Sequence, residues 1–353
     1  MRSMGGERVT EAVAGAVELL RTAADRDWEA RAGRLEWSCR RTAEHMAGAL
    51  LRYAGGLAGR AETRLPLTFG LAEDAGNDAA LDLLRTTGAL LVAAIRATPR
   101  EVRAFHPFPF HSANREGFAA MGVTEVLLHT HDIAEGLGLA YEPPAELCAY
   151  ALTRIFPQVR PGPDHWRTLL WATGRGDLPG RAPVTEWHWY NNLVIPTERL
   201  TLEGVTPAAA GDLSAGGDGG FSWIEGGPFE GTREAAGMLV KAYEAGVHRP
   251  EWGVFVLVRR EDGRAVGSMG FHGAPDEEGR AEVGYDLVEG ARGHGYATEA
   301  LRSLAAWALA RDDVGTLFAT IERANTPSQG VITRAGFTRV SEDEETYAYA
   351  LHR

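Results

Sequence analysis

The chain has little cysteine. Cys39 and Cys148 are the two in 353 residues, too few for a disulfide framework and not spaced as the CxxC pair of a zinc ribbon, so both read as buried thiols. No apolar run approaches the roughly 18 residues that suggest a membrane span. The first residues also lack the charged-then-apolar pattern of a signal segment, so a soluble, cytoplasmic protein with no membrane partner is expected. An excess of basic charge is missing too: the formal net charge is −12, whereas a polyphosphate partner requires a basic face, which argues against nucleic acid. The acidic balance keeps the protein soluble or favours a cationic acceptor such as an amine. With 44% hydrophobic residues the chain is globular, and its length exceeds one ordinary core, so two domains are expected.

The front half has helical rhythm. Val9, Val13, Val17 and Leu20 recur at spacings of four, four and three, and similar stripes run through Met46, Leu50 and Tyr53, through Leu84, Leu91 and Ile95, and through Val123, Val126, Ile133 and Leu137. Four such helices make a bundle. Ser38 is placed to cap the second, and Pro143-Pro144 separates the fourth from a fifth near Leu147 to Ile155. On the fourth helix Glu125, His129 and Asp132 lie at i, i+4 and i+7 and share a face, while His131 points away from it. His45 on the second helix is a lone imidazole that a neighbouring helix can bring against that face. Two imidazoles and a carboxylate suit a divalent metal, zinc in particular, with a fourth position open and Asp132 fixing His129 from behind. The same spacing also occurs on plain helix surfaces.

The segment WHWYNNLVIPTERLTLEGV marks a join. Pro196 breaks it, and Arg199 to Val205 begins a strand. The expected domains are therefore 1–196 and 197–353. Trp187 and Trp189 either pack at the junction or shape a pocket.

Near the end, EVGYDLVEGARGHGYATEALRSLAAWAL reads as a strand from Glu282 to Val288, a loop at Arg292 to Gly295, and an amphipathic helix from about Ala297. Gly293 and Gly295 let the main chain approach a pyrophosphate closely, and the positive end of the following helix favours its charge. A P-loop is excluded because the loop has no lysine. A dinucleotide fold is excluded because Thr298 stands where GxGxxG needs its third glycine and no acidic residue ends a strand near Thr316. The remaining pattern, Arg292-x-x-Gly295-x-Ala297, resembles the acyl-CoA signature of the GNAT acetyltransferases.

Its surroundings carry the same resemblance. VFVLVRREDGRAVGSMGF reads as two strands and a turn, and TLFATIERANTPSQGVITRAGF as strand, helix and Gly336-Phe337. Glu282-Val283-Gly284-Tyr285, Tyr296-Ala297-Thr298-Glu299-Ala300 and Asn325-x-x-Ser328 resemble the branch that acetylates protein N-termini, including ribosomal-protein alanine, and small amines. The resemblance, over Thr197 to Arg353, implies an α+β acyl-CoA N-acyltransferase fold, acetyl-CoA as co-substrate and a small-molecule or peptide amine as acceptor. It implies CoA contacts at Leu287, Val288, Arg292, Gly293, His294, Gly295, Tyr296, Ala297 and Asn325, with Ser328 hydrogen-bonding the leaving sulfur. Glu282 is the base candidate or, facing the core, a structural partner. Asn325 and Ser328 alternatively only cap the last helix. The glycine-rich stretch from Ser214 to Thr232 is expected to be a loop. It either binds the acceptor, through Phe221, Trp223, Phe229, Glu225 or Glu230, or forms a surface lid.

Trp37-Ser38 with His45, then Glu125-x-x-x-His129-x-x-Asp132, resembles the DinB-like bundle of the mycothiol-dependent maleylpyruvate isomerases over roughly residues 7 to 195. That resemblance implies an all-α four-helix bundle in which His45, Glu125 and His129 hold zinc or another divalent metal and the open position takes a thiol such as mycothiol. Thr130-His131 replaces the family's Gly-Trp, so the thiol pocket departs from the pattern. Two functions stand open. One is an N-acetyltransferase with an appended metal-binding bundle. The other is a metal- and thiol-dependent isomerase or transferase with a CoA-binding accessory domain.

Overall fold

The structure, a computed structural model, describes residues 5–99, 102–107, 111–160 and 162–353. They form two compact units that meet in sequence between Asn191 and Asn192.

The first unit is helical. It comprises α1 (Gly6–Arg21), α2 (Cys39–Ala58), α3 (Asn77–Ala97), the short strands β1 (Arg103–Phe105) and β2 (Ser112–Asn114), α4 (Arg115–Leu137), α5 (Ala145–Ile155) and α6 (His165–Ala172). Helices α1 to α4 pack on one another around Leu20, Met46, Leu50, Leu84, Leu91 and Val126. Local chemistry sets their ends. The Ser38 hydroxyl accepts from the Arg41 amide at the start of α2, and Asn114 does the same for Gly117 at the start of α4. Gly138, in the left-handed conformation, stops α4.

Helix α4 departs from the amphipathic rule. It is buried without interruption from Gly117 to Thr130, because other helices cover it on several sides. Gly122 permits that closeness: a Cβ there would stand 2.6 Å from Leu91 Cδ2. Trp187 and Trp189 lie in this unit, both against Phe156 with ring centroids 6.1 and 6.0 Å away, so they pack.

The second unit holds an eight-stranded sheet in the order β3-β4-β5-β6-β7-β8-β10-β9. Its elements are β3 (Val194–Pro196), β4 (Leu200–Gly204), α7 (Pro207–Ser214), α8 (Glu230–Ala245), β5 (Val254–Arg259), β6 (Ala265–Phe271), β7 (Arg280–Leu287), α9 (Tyr296–Leu309), β8 (Thr316–Glu322), α10 (Thr326–Arg334), β9 (Thr338–Glu342) and β10 (Thr346–His352). The unit begins earlier than Pro196 suggested. Val194–Pro196 pair with β4 as an edge strand, where proline's missing N–H is tolerated. Helices α7 and α8, which flank the glycine-rich loop, went unread in the sequence.

All neighbouring strands are antiparallel except β7 and β8, which run parallel and pair only over Arg280–Glu282 and Thr316–Phe318. Beyond Glu282 the two strands part. Strand β7 continues to Leu287 and stays paired on its other side to β6, so beyond Glu282 its edge toward β8 is open.

Candidate functional site

In the helical unit, α2 and α4 bring His45, Glu125 and His129 together. One donor atom from each lies within 4.8 Å of the others. His129 Nε2 is 3.2 Å and His45 Nε2 3.5 Å from Glu125 Oε2, and the imidazoles meet edge to face at 5.0 Å. Behind them, Asp132 Oδ2 lies 2.9 Å from His129 Nδ1, and Arg175 binds the same carboxylate through Nε at 3.0 Å and Nη2 at 2.9 Å. With Nδ1–H donating to Asp132, the Nε2 lone pair of His129 faces Glu125 and His45. Tyr53 donates its hydroxyl to Glu125 Oε1 at 2.9 Å.

The titration of these groups follows from burial set against partners. Burial alone would raise Glu125, but the hydrogen bonds and charge of His129 and His45 override it and hold the carboxyl below its ordinary value. Burial would lower His129, and Asp132 and Glu125 override it upward. Burial would raise Asp132, and His129 and Arg175 hold it down. Tyr53 is pushed well up, first by burial and then by the Glu125 charge. His131 points elsewhere, with Nε2 3.6 Å from Glu135 and its ring edge-on to Trp166. A cavity of about 210 Å³ adjoins the triad, lined by Arg52, Arg64, Tyr53 and His106 as well as His45 and Glu125. The donor set, two neutral-capable imidazoles and one ionised carboxylate with the rear nitrogen of His129 already fixed, fits a divalent metal.

In the second unit β7, with its open edge toward β8, ends at Leu287, shortly before the loop that precedes α9 at Tyr296. Gly293 and Gly295 have φ of 78° and 79°, a region that side chains rarely adopt. Gly295 is the N-cap of α9 and makes no side-chain cap bond, so the first amides of this 14-residue helix face outward from its positive end. Around them, Arg292 Nε donates to the Leu287 carbonyl at 3.2 Å and its guanidinium lies over Phe229. His294 Nδ1 lies 2.8 Å from the Arg292 carbonyl, and its ring stacks on Tyr296. Arg199 crosses the Tyr296 ring, donates to the His294 carbonyl at 2.9 Å and pairs with Glu299 at 2.7 Å. The sequence reading gave Arg199 only the start of a strand; its place at this loop depends on a fold that sets β4 beside α9.

The remaining expected residues divide. Ala297 is buried in the first turn of α9. Val288 is buried and its amide donates to Val266, which spends that N–H within the sheet. Asn325 caps α10 by accepting from the Ser328 amide at 3.1 Å. The Ser328 hydroxyl donates to the Tyr285 hydroxyl at 2.8 Å, a partner the sequence reading did not assign to the site. Tyr285 is raised, first by burial, so its phenol stays protonated at neutral pH. Glu282 does not turn into the core: its side chain is 30% exposed and stands 3.2 Å from His272. Phe221 and Trp223 belong to the buried core rather than to an open pocket, whereas Phe229 is exposed.

Residues 199–338 match the family described as the acetyltransferase (GNAT) domain. An uncharacterized N-acetyltransferase, YjdG of Bacillus subtilis, is 36% identical over 83 residues, 24% of this chain and 49% of that protein. Another, p20 of Bacillus licheniformis, is 32% identical over 85 residues, 24% of this chain and 48% of that one. The chain thus spans about half the length of the curated relatives it matches. Among solved structures, a GNAT-family acetyltransferase from Bacillus anthracis aligns over 45% of this chain and 98% of its own, at 19% identity and a TM-score of 0.33. Among the described residues no helix is long and apolar enough to cross a membrane.

Proposed function

With residues 199–338 a GNAT acetyltransferase domain, we propose that this protein is an acetyl-CoA-dependent N-acetyltransferase acting on a primary amine, a small molecule or a protein N-terminus, and that its helical unit binds a divalent metal. The observation that carries the first part is the parting of β7 from β8 beyond Glu282, on the strand whose chain runs on into the uncapped start of α9. An extended ligand with amide groups can hydrogen-bond to the free edge of β7, and its pyrophosphate can be held by the amides around Gly293, Gly295 and Tyr296. Glu282, the base candidate of the sequence, stands where the pairing of β7 to β8 ends. On the other face of β7, the Ser328–Tyr285 pair supplies a hydroxyl to the departing thiolate.

Titration calorimetry with acetyl-CoA tests this. Wild type should bind, and a folded Gly295→Trp protein should not, because the indole blocks the approach to the backbone. Unchanged affinity in that variant would sink the assignment.

In the helical unit, His45, Glu125 and His129 would be the metal ligands, as in a DinB-like bundle, with the protein cytoplasmic. Held there, zinc or a similar ion would supply Lewis acidity toward a thiol. The convergence of these residues beside a cavity favours a second reading, in which a thiol such as mycothiol reacts in this unit and the acetyltransferase domain is accessory. Activity that survives Gly295→Trp but not His129→Ala would establish that reading over the first.

A further inference from the structure

Glu282 has a partner that the reading above leaves unused. His272, the residue after β6, stands directly across from it: the His272 amide donates to the Glu282 carbonyl at 3.1 Å, and His272 Nδ1 lies 3.2 Å from Glu282 Oε2. Directly opposed side chains on one sheet face are the closest neighbours a sheet provides. The imidazole then lies along β7, because Gly284, two residues on and on the same face, has no side chain. A Cβ at that position would meet His272 Nε2 at 2.7 Å. Gly284 is not among the glycines with positive φ, so its backbone does not require glycine; the imidazole does. Nε2 is thereby carried beyond Glu282, over the stretch of β7 where pairing to β8 has ended.

We propose that His272 is the catalytic residue that takes the proton from the acceptor amine, with Glu282 holding its ring. This rests on the acetyltransferase reading. Glu282 accepts Nδ1–H and leaves the Nε2 lone pair toward the opening. The amine nitrogen attacks the thioester carbonyl carbon. As the C–N bond forms and the C–S bond breaks, one proton passes from nitrogen to Nε2, and the imidazolium is stabilised against the Glu282 carboxylate. The sulfur leaves as thiolate and takes a proton from the Tyr285–Ser328 hydroxyl pair, the imidazolium releases its proton to water and water reprotonates the pair, so amine and acetyl-CoA become amide and CoA thiol. Among the described residues Glu282 is the carboxylate paired with the ring. Asp286, on the same face of β7, is held by the Thr232 hydroxyl and amide of α8 at 2.8 and 3.0 Å and lies 3.4 Å from Ser268 of β6. The side chain of His272 is 45% exposed, which leaves it open to an acceptor.

The test uses full-length His272→Ala, His272→Gln and Glu282→Gln with spermidine and with alanine- and serine-terminated tetrapeptides, alongside calorimetry with acetyl-CoA. Both His272 variants should bind acetyl-CoA as wild type does, lose about a hundredfold in kcat, and lose the limb of the pH profile set by imidazole protonation. Added imidazole should restore His272→Ala. Gly284→Ala, which displaces the ring, should fall in the same way. Activity of His272→Gln within twofold of wild type, with Glu282→Gln inactive, would make Glu282 the direct base and overturn the proposal. Loss without imidazole rescue in a variant that still binds acetyl-CoA would overturn it in favour of a structural role. A wild type that binds no acetyl-CoA and acetylates none of the amines would overturn the acetyltransferase reading itself, and the role of His272 with it.

Discussion

Arg175 grips Asp132 with two nitrogens, at 3.0 and 2.9 Å, while the same carboxylate holds His129 Nδ1 at 2.9 Å. One buried acid therefore accepts from two side chains, the Arg175 guanidinium and the His129 ring, and its 2% exposed side chain leaves nothing for water to replace. Replacing it by Asn should strand the Arg175 guanidinium, at a cost of about 3–5 kcal/mol for a broken buried pair. It should also free His129 to rotate. If the triad holds a metal, affinity should fall about 10- to 100-fold in Asp132→Asn, measured by competition with a chromogenic chelator alongside thermal unfolding.

Asn325→Ala separates two roles of one side chain. The cap on the Ser328 amide contributes about 1 kcal/mol, so melting should shift modestly in any case. A contact to the pantetheine amide would add a rise in KM for acetyl-CoA. A destabilised variant with unchanged KM would make Asn325 a cap alone.

Tyr285→Phe removes the phenol that the Ser328 hydroxyl meets at 2.8 Å. If that pair protonates the leaving thiolate, kcat should fall about a hundredfold with the KM for acetyl-CoA unchanged. Steady-state kinetics with both substrates varied decides it, since a packing defect would disturb KM as well.

His248 sets a pH dependence in the second unit. It is 8% exposed, its Nε2 has no hydrogen-bond partner, and its pKa is pushed down to about 4 by burial, against a smaller opposing pull from Glu251. The unfolded chain protonates this ring near its ordinary value of about 6.5, while the folded one resists to about 4. Over that interval the unfolded state binds more protons, so stability falls as pH drops from about 6.5 and levels off below about 4, a loss on the order of 3 kcal/mol. His248→Phe should flatten this slope in unfolding curves taken from pH 7 to pH 4.

How much of this was legible in the chain depended on distance along it. Glu125, His129 and Asp132 lie within two turns of one helix, so spacing alone placed them on one face. The loop from Arg292 to Gly295 announced itself because its two glycines allow a positive φ that other residues rarely adopt. Helix α7 carried a readable start, the Thr206 cap with Pro207 at the first position, but the glycine-rich stretch after it drew the reading to a loop. The pairs His272–Glu282 and Tyr285–Ser328 were not legible. The first depends on how β6 registers against β7, and the second joins a strand to a helix 43 residues away. No local pattern encodes either. Gly284 offered one signal, a glycine inside a strand, which marks a close approach from a neighbour.

The metal claim rests on the convergence of three side chains from two helices, and elemental analysis of purified protein tests it directly. Wild type grown with zinc and prepared without chelator should carry about one transition metal per chain, because mixed nitrogen and oxygen ligation by three groups suits zinc. His45→Ala and Glu125→Ala should each lose it. Glu125→Ala should destabilise the helical unit further, since metal binding adds its free energy to folding and the carboxylate also accepts from Tyr53. Acetyl-CoA binding should survive in both variants, because the loop before α9 lies in a unit with its own core. Metal-free wild-type protein would make His45, Glu125 and His129 an ordinary buried ion-pair cluster. The acetyltransferase reading would stand untouched, because none of its residues belongs to the helical unit.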